Sequence, residues 1–170
     1  MVSMGAEKFN CEMRKKDLCV VLHPKLEHLC SLIWLHDLGD TGAGYFKNVF
    51  HDSQLINVPD HCRVIMPTAP VRGALGGVPQ TSWYTCANNA VPHALNEDLM
   101  GKIYNQEDIK QSCQIITKLI ETELAQLNGD TRKVFLGGHS QGGSIALATY
   151  LQFQGGVLGG VVATSSSWTA

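Results

Sequence analysis

Val134-Phe135-Leu136-Gly137-Gly138-His139-Ser140-Gln141-Gly142-Gly143-Ser144 is the stretch that decides the fold. Its first three residues read as a short apolar strand. The glycines and polar residues that follow read as a tight turn, and the run from about Gln141 to Gln154 as a helix. Gly138, Ser140 and Gly142 fit the pattern G-x-S-x-G. That spacing puts a serine on a strained strand-to-helix turn, with its hydroxyl raised above the sheet edge. Glycines two before and two after let the backbones pass. The helix N-terminus beside the hydroxyl favours negative charge developing there. The bare pattern also arises in ordinary glycine-rich connections, but here an apolar strand precedes it and a helix follows, which is the context the chemistry needs. No Lys-Ser/Thr pair follows the glycines and no G-x-G-x-x-G opens the helix, so the phosphate-cradling loops are excluded on spacing.

Upstream, Leu18 to His23 and Leu29 to Leu35 read as strands. The second is almost continuously apolar, as in a sheet covered on both faces. It runs into His36-Asp37-Leu38-Gly39-Asp40-Thr41-Gly42, a polar glycine turn at a strand's C-terminal end, where open α/β sheets bind ligands. A helix is expected from about Ala43 to Asp52 and a strand from Cys62 to Met66. From Thr68 to Lys102 no periodicity persists, which marks either a lid or binding loop or a structural excursion packed on the core. A helix from about Gln106 to Leu127 carries Ile109, Cys113, Ile116, Ile120, Leu124 and Leu127 on one face, with Asn105 as its cap. A last strand is expected at about Val157 to Thr164. Strands alternating with helices predict an α/β fold with a mostly parallel sheet and helices on both faces. Leu35, Val64, Ile65, Phe135 and Leu136 are its expected core strand residues, with Ile116 and Ile120 packed on them.

The chain has 170 residues, 44% hydrophobic and 16% charged, which suits one globular domain. A net charge of -2 gives no reason to expect nucleic acid or an anionic membrane as partner. No apolar run approaches membrane-spanning length. The six cysteines lack metal-site spacing and no secretory leader precedes them, so reduced thiols in a cytoplasmic compartment are expected, with no metal and no cofactor.

Five features together resemble the acyl-protein thioesterase family, also called the phospholipase/carboxylesterase family of small α/β-hydrolases. They are Trp34 to Gly42, Pro67-Thr68-Ala69-Pro70-Val71-Arg72, Ser82-Trp83-Tyr84, Leu136 to Gly143, and the serine-rich strand end from Ala163 to Trp168. The resemblance covers about Leu18 to Ala170. It implies a partial α/β-hydrolase domain at 18–170, preceded by an arm or extension at 1–17. It implies a serine hydrolase acting on acyl thioesters or carboxylesters, S-acylated proteins among them. Ser140 would be the nucleophile and the backbone N–H groups of Leu38 and Gln141 the oxyanion hole. Leu75, Trp83 and Leu38 would line an apolar acyl groove.

Two departures stand against that pattern. Asp37 occupies a position where the family usually has glycine. Two like charges about 7 Å apart, at an effective dielectric of about 20, repel by roughly 2 kcal/mol, or more than tenfold in rate. A residue there also needs a backbone geometry compatible with a Cβ. Second, the fold's triad runs Ser, Asp, His along the chain, yet Gln141 to Ala170 contains no Asp, Glu, His, Lys or Arg. Among the upstream histidines His36 lies at the same sheet edge, where ordering the loop is the expected role. His139 should point away from the hydroxyl. The sequence therefore reads as a hydrolase domain without its C-terminal strands, acid and base, or as a hydrolase-like subunit that has lost catalysis. In either case the glycine-rich apolar strand at 157–162 would be an open edge, to be covered by further strands or by a partner chain.

Overall fold

The strands form where β-branched and aliphatic residues run together, and their alternation sorts the core into two layers. In a computed structural model, residues 11–14, 19–52, 57–73, 78–86 and 104–166 are described. Among them the strands are β1 (Cys11–Arg14), β2 (Cys19–Leu22), β3 (Cys30–Leu35), β4 (Cys62–Met66), β5 (Val71–Gly73), β6 (Pro79–Thr81), β7 (Val134–His139) and β8 (Gly160–Thr164). The main sheet has the order β1-β2-β4-β3-β7-β8. β4, β3, β7 and β8 are parallel, while β1 and β2 join antiparallel at one side. Ile33 pairs in register with Ile65 on one side and Leu136 on the other, which fixes β3 as the centre.

Odd and even positions face opposite layers, as the two-residue period requires. Val21, Ile33, Leu35, Ile65, Val134 and Leu136 face one cluster, which α2 (Gln106–Gln126) and α3 (Gln141–Gln152) cover with Ile116, Ile120 and Ile145. Val20, Leu22, Trp34, Val64 and Met66 face the other, where Phe50 packs. Asn105 caps α2 as its side chain accepts from the Asp108 N–H.

Three expectations change. The helix predicted over 43–52 is α-helical only at α1 (Gly42–Tyr45) and continues as a π-helical stretch, Phe46–Asp52. This brings Phe50 edge-on to Trp34, with ring centroids 6.2 Å apart. The region read as aperiodic from Thr68 contains the antiparallel hairpin β5–β6, which short polar strands conceal from a periodicity argument. Phe135, expected in the core, is 36% exposed. Its neighbours Val134 and Leu136 face the helices, so it points to the other face. Beyond Trp34, whose ring lies against Gly137, no described helix covers that face. Leu35, Val64, Ile65, Leu136, Ile116 and Ile120 are all buried as expected. Cys11–Arg14, inside the stretch expected as an arm, is the edge strand β1.

Candidate active site

β7 ends at His139, and Ser140 turns the chain into α3 with φ 51° and ψ −120°. A residue with a Cβ in that region stores on the order of 1–3 kcal/mol of strain. Neighbouring bonds hold it there. The Ser140 N–H donates to the Thr164 carbonyl on β8 (2.9 Å), and the Ser140 carbonyl accepts from Ser144 N–H (3.1 Å) and Ser144 Oγ (3.2 Å). The Ser140 side chain makes no capping hydrogen bond to α3, so its hydroxyl is not consumed by the helix it begins. The flanking glycines are required by space. A Cβ on Gly138 would lie 2.5 Å from the Gly142 carbonyl carbon, and one on Gly142 would overlap the carbonyl oxygens of Leu35 and His36. The first turn of α3 therefore lies directly on the end of β3, beside the loop that β3 feeds. Gln141 opens α3, and the first N–H groups of a helix have no partner within it.

The β3 loop is built around a histidine. His36 is fully buried. Its Nδ1–H donates to the Asp37 carbonyl (2.6 Å), and its Nε2 accepts the Ala69 N–H (2.9 Å). Both bonds are made at once only by the neutral Nδ1–H tautomer. Burial lowers its pKa, against the hydrogen bond to Asp37 and the charges of Asp40 and Asp37. The ring orders the loop and has no nitrogen left to take a proton from Ser140. His139 turns away from the nucleophile, with Nδ1 3.0 Å from Thr164 Oγ1. The left-handed backbone in this loop falls on Gly39 (φ 82°), not on Asp37. That is how an aspartate is accommodated where a glycine was expected.

Residues 78–85 are fastened across this edge. The Gly39 N–H donates to the Thr81 carbonyl (2.9 Å) and Thr81 Oγ1 donates to the Asp40 carbonyl (2.5 Å). The Gln141 side chain clasps the same segment: its Oε1 accepts the Trp83 N–H (3.1 Å) and its Nε2 donates to the Tyr84 carbonyl (3.0 Å). Arg72 completes the brace. Its Nη1 is 2.5 Å from Asp108 Oδ1, its Nε donates to the Ser82 carbonyl (3.2 Å), and Asp108 Oδ2 accepts the Thr85 N–H (2.9 Å). The backbone around Leu38 and the start of α3 are thus held through side chains that sequence spacing does not connect.

Of the expected groove residues, Leu38 is half-buried in the turn and Leu75 lies outside the described residues. Trp83 is fully buried, with its indole N–H donating to the His36 carbonyl (2.8 Å) and its carbonyl accepting from Ser112 Oγ (2.5 Å). It offers no surface to a ligand and acts as a strut under the β3 loop. His93 and much of the irregular segment it belongs to also lie outside the described residues. Among the described residues no group of three or more His, Cys, Asp or Glu is arranged to hold a metal ion. No described helix is long and apolar enough to cross a membrane.

This geometry has relatives. The model of the phospholipase/carboxylesterase family matches residues 16–170. The chain belongs to that family. It is 30% identical over 141 residues to acyl-protein thioesterase 1 of Debaryomyces hansenii, covering 79% of this chain and 56% of that protein. It is also 30% identical over 140 residues to acyl-protein thioesterase 1 homolog 1 of Dictyostelium discoideum, covering 81% and 57%. The crystal structure of Zea mays acyl-protein thioesterase 2 superposes with a TM-score of 0.63 at 28% identity, over 88% of this chain and 62% of that one. The family chain described here thus spans somewhat over half the length of these relatives, and it shares the α/β-hydrolase fold.

Proposed function

We propose that this chain carries the nucleophile and oxyanion-hole half of a carboxylic ester or thioester hydrolase. Ser140 would attack the acyl carbonyl, and the backbone N–H groups of Leu38 and Gln141 would take up the oxyanion. The observation that carries this reading is the strained Ser140 turn, with its hydroxyl uncommitted at the mouth of α3 and the β3 loop packed against it. Relatives named acyl-protein thioesterases support a long-chain acyl group as the substrate feature, including S-acyl cysteines on proteins, which would make the activity depalmitoylation. The five free cysteines of the described residues accord with action in the cytoplasm.

Among the described residues, neither His36 nor His139 is placed to serve Ser140 as a base. A serine without its base keeps only the contributions of binding and the oxyanion hole, on the order of 10³–10⁴ over water where a full site remains. The 170-residue chain should therefore cleave an activated acyl ester, such as a p-nitrophenyl ester, slowly, and Ser140→Ala should abolish that rate. Equal rates for the two chains would refute Ser140 as nucleophile.

A second reading has its own observation: β8 lies at the sheet's edge with Val162 56% exposed. In that reading the chain is a hydrolase-like subunit that buries this edge against further strands or a partner. Absence of any Ser140-dependent hydrolysis, together with a chain that elutes as an oligomer, would favour it.

A further inference from the structure

We propose that Cys30 and Cys62 form a dithiol site, at the opposite end of the sheet from Ser140, that a low-molecular-weight disulfide converts into a cross-strand disulfide. The two residues are direct partners in the parallel β3–β4 register. Adjacent strands lie about 4.8 Å apart, within the roughly 4.4–6.8 Å Cα separation that a disulfide spans. Both side chains face the same layer: Cys62 belongs to the cluster around Trp34 and Val64, and Cys30 packs against it. Cys30 is near enough to Cys62 to disfavour its thiolate, after burial. Both are free. Cys19, Cys86 and Cys113 belong to the cluster on the other face and are separated from this pair by the sheet, and Cys11 lies on β1, beyond β2 from it.

The two thiols are not equivalent. Cys62 is 6% exposed and its S–H also donates to the Arg63 carbonyl (3.5 Å). Burial, and then the neighbouring Cys30, push its thiol up to about 12. Cys30 is half-buried and is the more exposed residue of the two. The order of events follows. Cys30, as thiolate, attacks one sulfur of the external disulfide, and the other sulfur leaves as a thiolate that takes up a proton. Cys62 Sγ then attacks Cys30 Sγ, losing its proton, and expels the second external thiol. Two protein S–H bonds and one external S–S bond are broken. One protein S–S bond and two external S–H bonds are formed, so the external disulfide is reduced by the two electrons the protein gives up. The closed loop of about thirty residues would contain α1 and the β3 loop and restrict the unfolded chain accordingly.

The test uses the full chain in glutathione buffers of graded oxidised-to-reduced ratio, quenched by alkylation and mapped by mass spectrometry. The expected result is a fall of two in alkylatable thiols, one cross-linked peptide pair containing Cys30 and Cys62, no retained glutathione, and a thermal midpoint raised by several degrees. Cys62→Ala should stop the reaction at a glutathione adduct on Cys30, and Cys30→Ser should leave Cys62 unmodified. Cys62→Val, which fills the same space, serves if the alanine variant does not fold. Retention of glutathione on Cys30 in the native sequence, or a Cys30–Cys62 link that forms only after denaturation, would overturn the proposal.

Discussion

β4 and β7 both lie beside the central strand β3, yet one is dry on both faces and the other on only one. In β4, Val64, Ile65 and Met66 have no exposed surface, because helices or aromatic rings close both layers. In β7, Val134 and Leu136 are equally dry, but Phe135 between them is 36% exposed and lies across Gly159 and Gly160. The next strand out, β8, has Val162 at 56%, and Val157 just before it is at 73%. Apolar sequence is nearly the same in the two places. What differs is the layer above: α1 and the π-helical stretch after it stop at Trp34, and nothing described continues beyond. Burial is a property of the assembled layers, and a strand's own composition reports only that it could be buried.

The sharpest test of that contrast is in β4. Ile65→Ala removes a fully buried side chain that pairs in register with Val21 and Ile33. It should cost about 3–4 kcal/mol, measured by denaturant unfolding. A loss near 1 kcal/mol would mean that β4 can collapse around the gap and that the two strands are not so different.

Next is the brace that holds the irregular segment to the site. Arg72 and Asp108 are each 13% exposed, and the carboxylate also accepts the Thr85 N–H. Arg72→Ala leaves that carboxylate with its charge uncompensated, and about 2–3 kcal/mol of stability should be lost. The double variant Arg72→Ala/Asp108→Ala should recover part of it. Additive losses in the cycle would show that the pair is not coupled.

These two tests also mark what the sequence could and could not tell. The elbow was legible because strained turns use glycine at fixed offsets, and α2 because a 3.6-residue stripe needs no partner to be seen. The positions of β2, β3, β4 and β7 followed from apolar runs bounded by proline and glycine. The Gln141 clasp and the Arg72–Asp108 pair were not legible. Those partners are 36 or more residues apart and meet only after the sheet assembles. The burial of Trp83 was not legible for a related reason: a large aromatic in a polar loop reads as a contact surface, and its burial is decided by where Ser112 and the His36 carbonyl lie. Asp37 was accommodated by a left-handed residue two positions away.

Phe135 gives the next effect down. Phe135→Ala should cost about 1–1.5 kcal/mol, well short of the 3–5 kcal/mol of a fully buried phenylalanine, because the ring is already partly in water. A loss of the larger size in the isolated chain would show that this face is covered in solution, by a second copy or by a segment outside the described residues. The measurement should be repeated across protein concentration, since a cover supplied by another molecule makes the cost concentration-dependent.

The smallest expected effect on stability comes with the largest effect on association. Within β8, Val161 packs partly against the helix-covered core, while Val162 faces away from it and is 56% exposed. A charge intended to block the edge therefore belongs at 162. Val162→Lys should change the unfolding free energy by less than about 0.5 kcal/mol, because little apolar surface is lost and the ammonium stays in water. β8 pairs with β7 on one side and, among the described residues, with no strand on the other, so its outer N–H and C=O groups form a template for another strand. If that edge associates with a second copy, sedimentation should show the lysine variant shifted toward monomer at concentrations where the unsubstituted chain is oligomeric. If a different chain or further strands of a longer protein cover the edge, the same lysine should weaken that pairing instead. A substitution that left both association state and stability unchanged would remove the edge from the argument and assign the exposure of Phe135 and Val162 to an ordinary wet surface.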